Sequence, residues 1–209
     1  MWTIPNLYKK LGDMLFPPAC YLCKQQGSTL CDSCFKSLPC ATDSPAPYIF
    51  SFLSYRDTNV KKLIHAGKYY HQRHLLQELV HRTISTHPHV LEHADTAICI
   101  PVPMHPMRKL IRGYNQAEII ADILAAHYHI PYLPKILRRT KLTARQVRKT
   151  TKQERERNQR GSFSIVGDVY NKHIILVDDI TTTGATLHEL RKILLDQGVA
   201  SVQAITIAH

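Results

Sequence analysis

Residues 174–187, IILVDDITTTGATL, constrain the chain more than any other stretch. Four apolar residues in a row suit a strand buried on both faces, as in a parallel sheet. They run straight into Asp178 and Asp179, although adjacent carboxylates repel and resist burial. Thr181, Thr182, Thr183, Gly184, Ala185 and Thr186 follow, and an amphipathic run covers 185–198. A strand that ends in charge and turns at once into a helix fits an open α/β sheet, where ligands bind beyond the carboxyl ends of the strands. Such a conflict between local propensity and burial is expected where a chain carries function.

The remaining pattern agrees. Apolar strands are expected at 48–55, 96–102, 173–179 and 199–208, with a further strand near Phe163, and helices at 3–16, 58–70, 73–85, 115–128 and 185–198. Asn115 is expected to cap the fourth of these helices, with Glu118 three residues on, and Gly198 to end the last. Alternation of strand and helix predicts a parallel α/β sheet covered on both faces. The segment ATDSPAP, 41–47, has the composition of a linker. The expected division is residues 1–45, an N-terminal helix and a four-cysteine module, and 46–209, the α/β domain.

Cys20, Cys23, Cys31 and Cys34 form C-x2-C-x7-C-x2-C. Two CxxC pairs joined by a short turn at Gly27 suit a tetrahedral four-thiolate zinc site, structural because no ligand position stays open. A disulfide pair is disfavoured by the symmetry of the pairs and by a cytoplasmic setting. A redox role needs a CxxC at a helix start in a thioredoxin-like unit, which the sequence does not offer. Cys40 and Cys99 read as small buried hydrophobes, with Cys40 as a spare ligand the weaker alternative.

No apolar run reaches the length of a membrane span, and Lys9, Lys10 and Asp13 interrupt the N-terminal segment as they would not in a signal peptide. A cytoplasmic protein without membrane insertion is expected. The net charge is +11, and residues 138–160 hold ten Lys/Arg against Glu154 and Glu156, a local net of +8. Such density suggests an anionic partner, against the bland reading of a solvated loop. Arg145, Arg148 and Lys149 stand at its centre. In the 181–186 loop, small residues and a helix start let backbone N–H groups approach an anion, and the threonines add hydroxyl donors. Gly184 is expected to leave the space that a phosphate needs. Asp178 and Asp179 alongside suit sugar hydroxyls or a Mg2+ shell, so a ribose 5-phosphate meets both needs. The Lys of a Walker A loop and the spacing of GxGxxG are both missing.

IILVDDITTTGAT resembles the PRPP-binding motif of type I phosphoribosyltransferases. The chain as a whole resembles the ComF/ComFC competence proteins. The likeness rests on the four cysteines after LFPPAC, PVPMHPMRKLIRGYNQAE over 101–118, Thr143, Gln146, Arg155 and Asn158 with RGSF, and the final loop. It implies a zinc module joined to a phosphoribosyltransferase-like domain. It also implies a part in natural transformation, handling incoming single-stranded DNA in the cytoplasm with a ComFA-type helicase ATPase as partner. Carried across, Asp178 and Asp179 face the ribose hydroxyls, Thr181 to Thr186 hold the 5-phosphate of PRPP with Mg2+, and PVPMHP becomes the pyrophosphate loop. Arg108, Lys109 and Arg112 then contact the diphosphate or DNA, or are ordinary surface charge.

Two functions follow: a DNA-uptake protein that binds single-stranded DNA and PRPP, and an active phosphoribosyltransferase with an unknown acceptor. Purine enzymes of the resembled type carry an Asp at the position of Thr182, and a threonine is no general base near neutral pH. That argues against purine salvage. The sequence given stops at His209, right after the last expected strand, so a hood over the acceptor is expected from residues 48–95 if anywhere. Tyr69, Tyr70 and Tyr114 beside basic residues suit base stacking, or simply pack. HPHVLEH, 87–93, is expected to be a connecting loop without function.

Overall fold

The computed structural model describes residues 17–69, 72–139 and 162–209. In chain order its elements are α1 (Asp32–Lys36), β1 (Ile49–Leu53), α2 (Thr58–Ala66), α3 (Arg73–Ser85), β2 (Ala97–Pro101), α4 (Pro106–Arg112), α5 (Gln116–Tyr128), β3 (Leu137–Arg139), β4 (Phe163–Ile165), β5 (His173–Ile180), α6 (Ala185–Asp196) and β6 (Ser201–Ala208). Four strands form a parallel sheet in the order β1-β6-β5-β2. The register pairs Val177 of β5 with Ile205 of β6 on one side and with Pro101 of β2 on the other.

Period-two alternation divides the core. Ile174 and Leu176 of β5 pack toward α6 with Leu187, Leu190 and Leu194. Ile175 and Val177 pack toward α2, α3 and α5, with Leu63, Leu79 and Ile120. A strand buried on both faces must be apolar at every position, which explains the unbroken run from Ile174 to Val177. The expected parallel sheet with helices on both faces is what forms. No helix among the described residues is long and apolar enough to cross a membrane.

Local signals set the boundaries. Asp57 caps α2 by accepting from Asn59 N–H (2.8 Å) and Val60 N–H (2.9 Å), and the helix stops at Ala66 before Gly67, short of the expected residue 70. Asn115 caps α5 by accepting from Ala117 N–H at 3.2 Å. The Glu118 carboxylate does not complete a capping box; it binds Lys109 instead. The helix α4 and the strand β3 escaped the sequence reading, whereas β4 forms where a strand is expected near Phe163. The helix α4 starts on His105, whose ring accepts from Met107 N–H, with Pro106 in its first turn and Gly113 in the left-handed region at its end (φ 81°). The antiparallel ribbon pairs β3 with β4, three residues each, too short to show a period. The expected helix over 3–16 lies outside the described residues.

Cys99 is fully buried, as expected, but Cys40 is exposed, because it lies on an isolated bridge to Leu53 at the surface. Tyr114 is also placed otherwise than base stacking requires. It is 7% exposed and its hydroxyl donates to Gly67 O, so its ring is committed to the core.

Candidate functional site

The carboxyl ends of β5, β6 and β2 bring the site together. Asp179 N–H donates to Asp178 Oδ1 and Ile180 N–H to Asp179 Oδ1, each at 2.9 Å, so each carboxylate is oriented by the peptide that follows it. Burial pushes the Asp178 carboxyl well above the usual carboxylate range, and the Asp179 charge adds to this; the Asp179 N–H and Arg139 pull it back down. The pair therefore gains from a cation or from hydroxyl donors placed against it.

The loop after β5 splits into two parts. Thr181 is buried, and its N–H donates to Ala208 O at 3.0 Å, so it anchors the loop to β6. Thr182, Thr183 and Ala185 are exposed and Thr186 is half-buried, so the open hydroxyls are those of Thr182, Thr183 and Thr186. Gly184 has φ 71°, and its carbonyl accepts from His188 N–H at 2.8 Å to begin α6. A Cβ at Gly184 would meet Ile49 Cδ1 at 3.1 Å and Pro45 Cβ at 3.3 Å. The glycine is thus required by its left-handed backbone and by close packing beneath the loop, which corrects the expectation that it only leaves room above.

On the β2 side, Val102 N–H donates to Val177 O at 2.8 Å, and Asn115 Nδ2 donates to Val102 O at 3.0 Å. These bonds hold the 102–105 loop beside Asp178. Lys109 Nζ is bound by both oxygens of Glu118 at 2.7 and 2.8 Å, and Arg112 Nη1 donates to Gln116 Oε1 at 3.3 Å. Arg108 is exposed and lies close enough to depress Arg139. Between this loop and β3 opens a cleft of about 570 Å3, bounded by Pro101, Met104, Lys109, Asn115 and Arg139.

Sequence reasoning missed two groups. Arg139 lies over the Phe163 ring (5.2 Å) and interacts with Asp178 and Glu189. Burial raises the Glu189 carboxyl while Ser162 N–H and Arg139 lower it. Only the β3–β4 pairing brings Arg139 there, so no local signal marks it. The second group gathers on the opposite side. Tyr55 N–H donates to His209 O at 2.6 Å, Tyr55 Oη meets His65 Nε2 at 3.1 Å, and His209 Nδ1 meets Thr181 O at 3.2 Å. Burial, Lys68 and Lys61 lower His65 below the usual imidazole range, and Asp179 opposes them. The sequence HAGKYY places a histidine and a lysine at the end of a helix, a signal that becomes readable once the Asp179 charge is known to act on His65.

The four expected metal ligands converge. One ligand atom from each of Cys20, Cys23, Cys31 and Cys34 lies within 4.8 Å of all the others. Cys23 Sγ and Cys31 Sγ are 3.6 Å apart, and all six cysteines are free thiols. A Zn–S bond of about 2.3 Å implies an S···S edge of about 3.8 Å, so the donor set fits zinc. Burial raises the Cys20 thiol, but N–H donors of Cys31, Cys23 and Leu22 outweigh it and bring it down to about 6. The Cys34 thiol is pushed up to about 12, first by its hydrogen bond with Cys31 and then by burial. Clustered thiols share protons in this way because their thiolates repel, and a divalent cation removes that conflict.

Arg145, Arg148 and Lys149, with Thr143, Gln146, Arg155 and Asn158, lie outside the described residues, as does Tyr70. Tyr69 is exposed. The loop 87–93 packs His87 against Phe52 (5.1 Å) and stacks His93 on His173 (4.0 Å), in keeping with a connecting role.

Residues 111–209 match the family described as the phosphoribosyl transferase domain. Among curated proteins, the chain is 37% identical over 113 residues to competence protein F of Haemophilus influenzae, a match covering 53% of this chain and 49% of that one. It is 28% identical over 226 residues to the DNA utilization protein YhgH of Escherichia coli, covering 97% and 96%. Competence protein ComFC of Bacillus subtilis is 32% identical over 111 residues, covering 53% and 43%. The chain thus spans about half the length of the two competence proteins and nearly all of the DNA utilization protein. Among solved structures, a hypoxanthine phosphoribosyltransferase of Staphylococcus aureus is 15% identical and superposes with a TM-score of 0.39 over 63% of this chain and 61% of that one, a likeness too slight to bear on function.

Proposed function

We propose, for a chain homologous to the competence proteins F and ComFC and to the DNA utilization protein YhgH and carrying a phosphoribosyl transferase domain, that it is a cytoplasmic DNA-uptake protein with a PRPP site. The observation that carries the PRPP reading is the acid pair at the end of β5 followed by a positive-φ glycine at the start of α6. Asp178 and Asp179 serve the ribose hydroxyls and Mg2+, while the hydroxyls of Thr182, Thr183 and Thr186, with the N–H groups of the loop and of Ala185, serve the 5-phosphate. Thr181 fastens the loop. Arg108 and Arg112 serve the diphosphate. The four cysteines hold a structural Zn2+ in a module spanning residues 1–45.

Titration calorimetry with PRPP, with and without Mg2+, tests the site. Gly184→Val places a β-branched residue in left-handed backbone, at a cost of roughly 1–2 kcal/mol before its contacts with Ile49 and Pro45 are counted. PRPP affinity is expected to fall at least tenfold, about 1.4 kcal/mol. Equal binding by the variant would remove the loop from the site.

The DNA reading rests on the +8 charge of residues 138–160 and on the exposed Arg108 of α4. These basic residues track a single-strand backbone with little sequence preference, and a ComFA-type ATPase is the proposed protein partner. With about five phosphates neutralised, log K falls with log salt at a slope of roughly −3.5. Changing Arg145, Arg148 and Lys149 together to Ala is expected to weaken DNA binding and flatten that slope without altering PRPP affinity. Loss of PRPP binding with DNA affinity intact would make the segment a substrate-closing loop and favour the alternative reading, an active transferase.

A further inference from the structure

We propose that α4 is a docking surface for an acidic protein segment that packs apolar side chains on Leu110 and Ile111. It stands apart from the PRPP reading, because neither residue belongs to that site. Met107, Leu110 and Ile111 stand at i, i+3 and i+4 and share one stripe of the helix. An amphipathic helix turns such a stripe to the core. Here the helix buries none of its residues, and the three are 53%, 79% and 80% exposed. Single apolar residues at a surface need no explanation, but a contiguous stripe on an anchored helix does. His105 caps the start of α4, Lys109 is bound by Glu118, and Arg112 donates to Gln116. The stripe is thus held in place without being used by the fold.

The surroundings select the occupant. Leu110 also lines the cleft of about 570 Å3 that opens toward β3, together with Met104, Pro106, Pro134 and Leu137. One apolar side chain of a partner enters there while its neighbours cover Ile111, as when an amphipathic segment lies in a groove. Cations frame the stripe. Arg108 follows Met107 on α4 and Arg138 lines the β3 wall of the cleft, both exposed. Among the described residues neither has an ion-pair partner. Burial and the charge of Arg108 lower Arg139, a sign that positive charge is crowded at this edge. Carboxylates on the occupant relieve that crowding. A second copy of this chain would bring a further net charge of +11. A nucleic acid strand would satisfy the arginines and leave the aliphatic stripe in water. A protein segment with apolar anchors between Asp or Glu residues meets both needs.

Photo-cross-linking tests this. Met107, Leu110 and Ile111 are replaced singly by p-benzoylphenylalanine in the full chain, which is irradiated in the cells that make it. The cross-linked peptide is sequenced by mass spectrometry, synthesised with a fluorescein label and titrated against the purified chain. It is expected to be net negative and to carry at least two apolar anchors. Leu110→Ser combined with Ile111→Ser is expected to weaken its binding at least tenfold. Both side chains are already in water, so the melting temperature is expected to stay unchanged and PRPP affinity to stay within twofold of wild type. Arg138→Glu is expected to weaken peptide binding at least threefold, and wild-type affinity to fall as salt rises. Cross-links only to a second copy of this chain, to nucleic acid or to lipid would overturn the proposal, as would no cross-link from any of the three positions. So would a neutral or basic peptide, or one that binds the double variant as tightly as wild type. Failure of PRPP to bind wild type overturns the earlier reading alone.

Discussion

Cys31→Ser is expected to abolish binding of the proposed zinc and to lower the melting temperature by on the order of 10 °C. Three thiolates cannot close the tetrahedron, and serine supplies no thiolate. The loss spreads because the four-cysteine segment is fastened to α3. Arg82 of α3 donates to Leu30 O (2.6 Å) and to Asp32 Oδ1 (2.5 Å), and its guanidinium lies over the Phe35 ring at 4.4 Å. Thr29 Oγ1 donates to Glu78. Leu30 and Leu38 belong to the same buried cluster as Leu75 and Leu79. Two buried leucines returned to water cost about 3 kcal/mol or more, and a chain of this length loses about 2–4 °C per kcal/mol. Metal analysis of protein purified without chelator, beside a thermal melt, checks both halves. A variant that keeps one zinc per chain and its wild-type melting point would exclude the four-thiolate site.

Asp178→Asn is expected to weaken Mg–PRPP binding at least tenfold while stabilising the ligand-free protein at pH 8. Asparagine cannot neutralise a cation, so the first effect follows from the proposed role. The second follows from linkage. Asp178 takes up its proton at higher pH in the folded chain than in the unfolded one, through burial and the Asp179 charge. Between the two values the folded state binds more protons, so wild-type stability is lost as pH rises from the ordinary aspartate range near about 3.9 through the raised folded value. Asparagine carries no such loss. Denaturant melts at pH 4 and pH 8 are expected to show the variant's advantage only at pH 8. An equal difference at both values would mean that Asp178 does not titrate differently in the two states.

His65 and Arg139 show where reading along the chain ends. By itself the sequence determined the parallel sheet, the four-cysteine cluster and the acid-pair loop, because each depends on contacts within a few residues: apolar runs at strand period, CxxC spacing, a glycine before a helix. The cap at Asn115 was readable for the same reason. Thr182, Thr183 and Thr186 were readable as a set, but only the bond from Thr181 N–H to Ala208 O separates the anchor from the open hydroxyls. Cys40 and Tyr114 looked interchangeable with their neighbours until packing placed one at the surface and the other in the core. Tertiary structure alone decided what surrounds Asp178 and Asp179. Arg139 acts electrostatically on Asp178 because the β3–β4 ribbon brings it to that end of the sheet, and His65 feels Asp179 because α2 follows β1 there. Strand order sets both approaches, and strand order is fixed by which apolar faces bury together across more than a hundred residues of chain, a long-range free energy that no local pattern records.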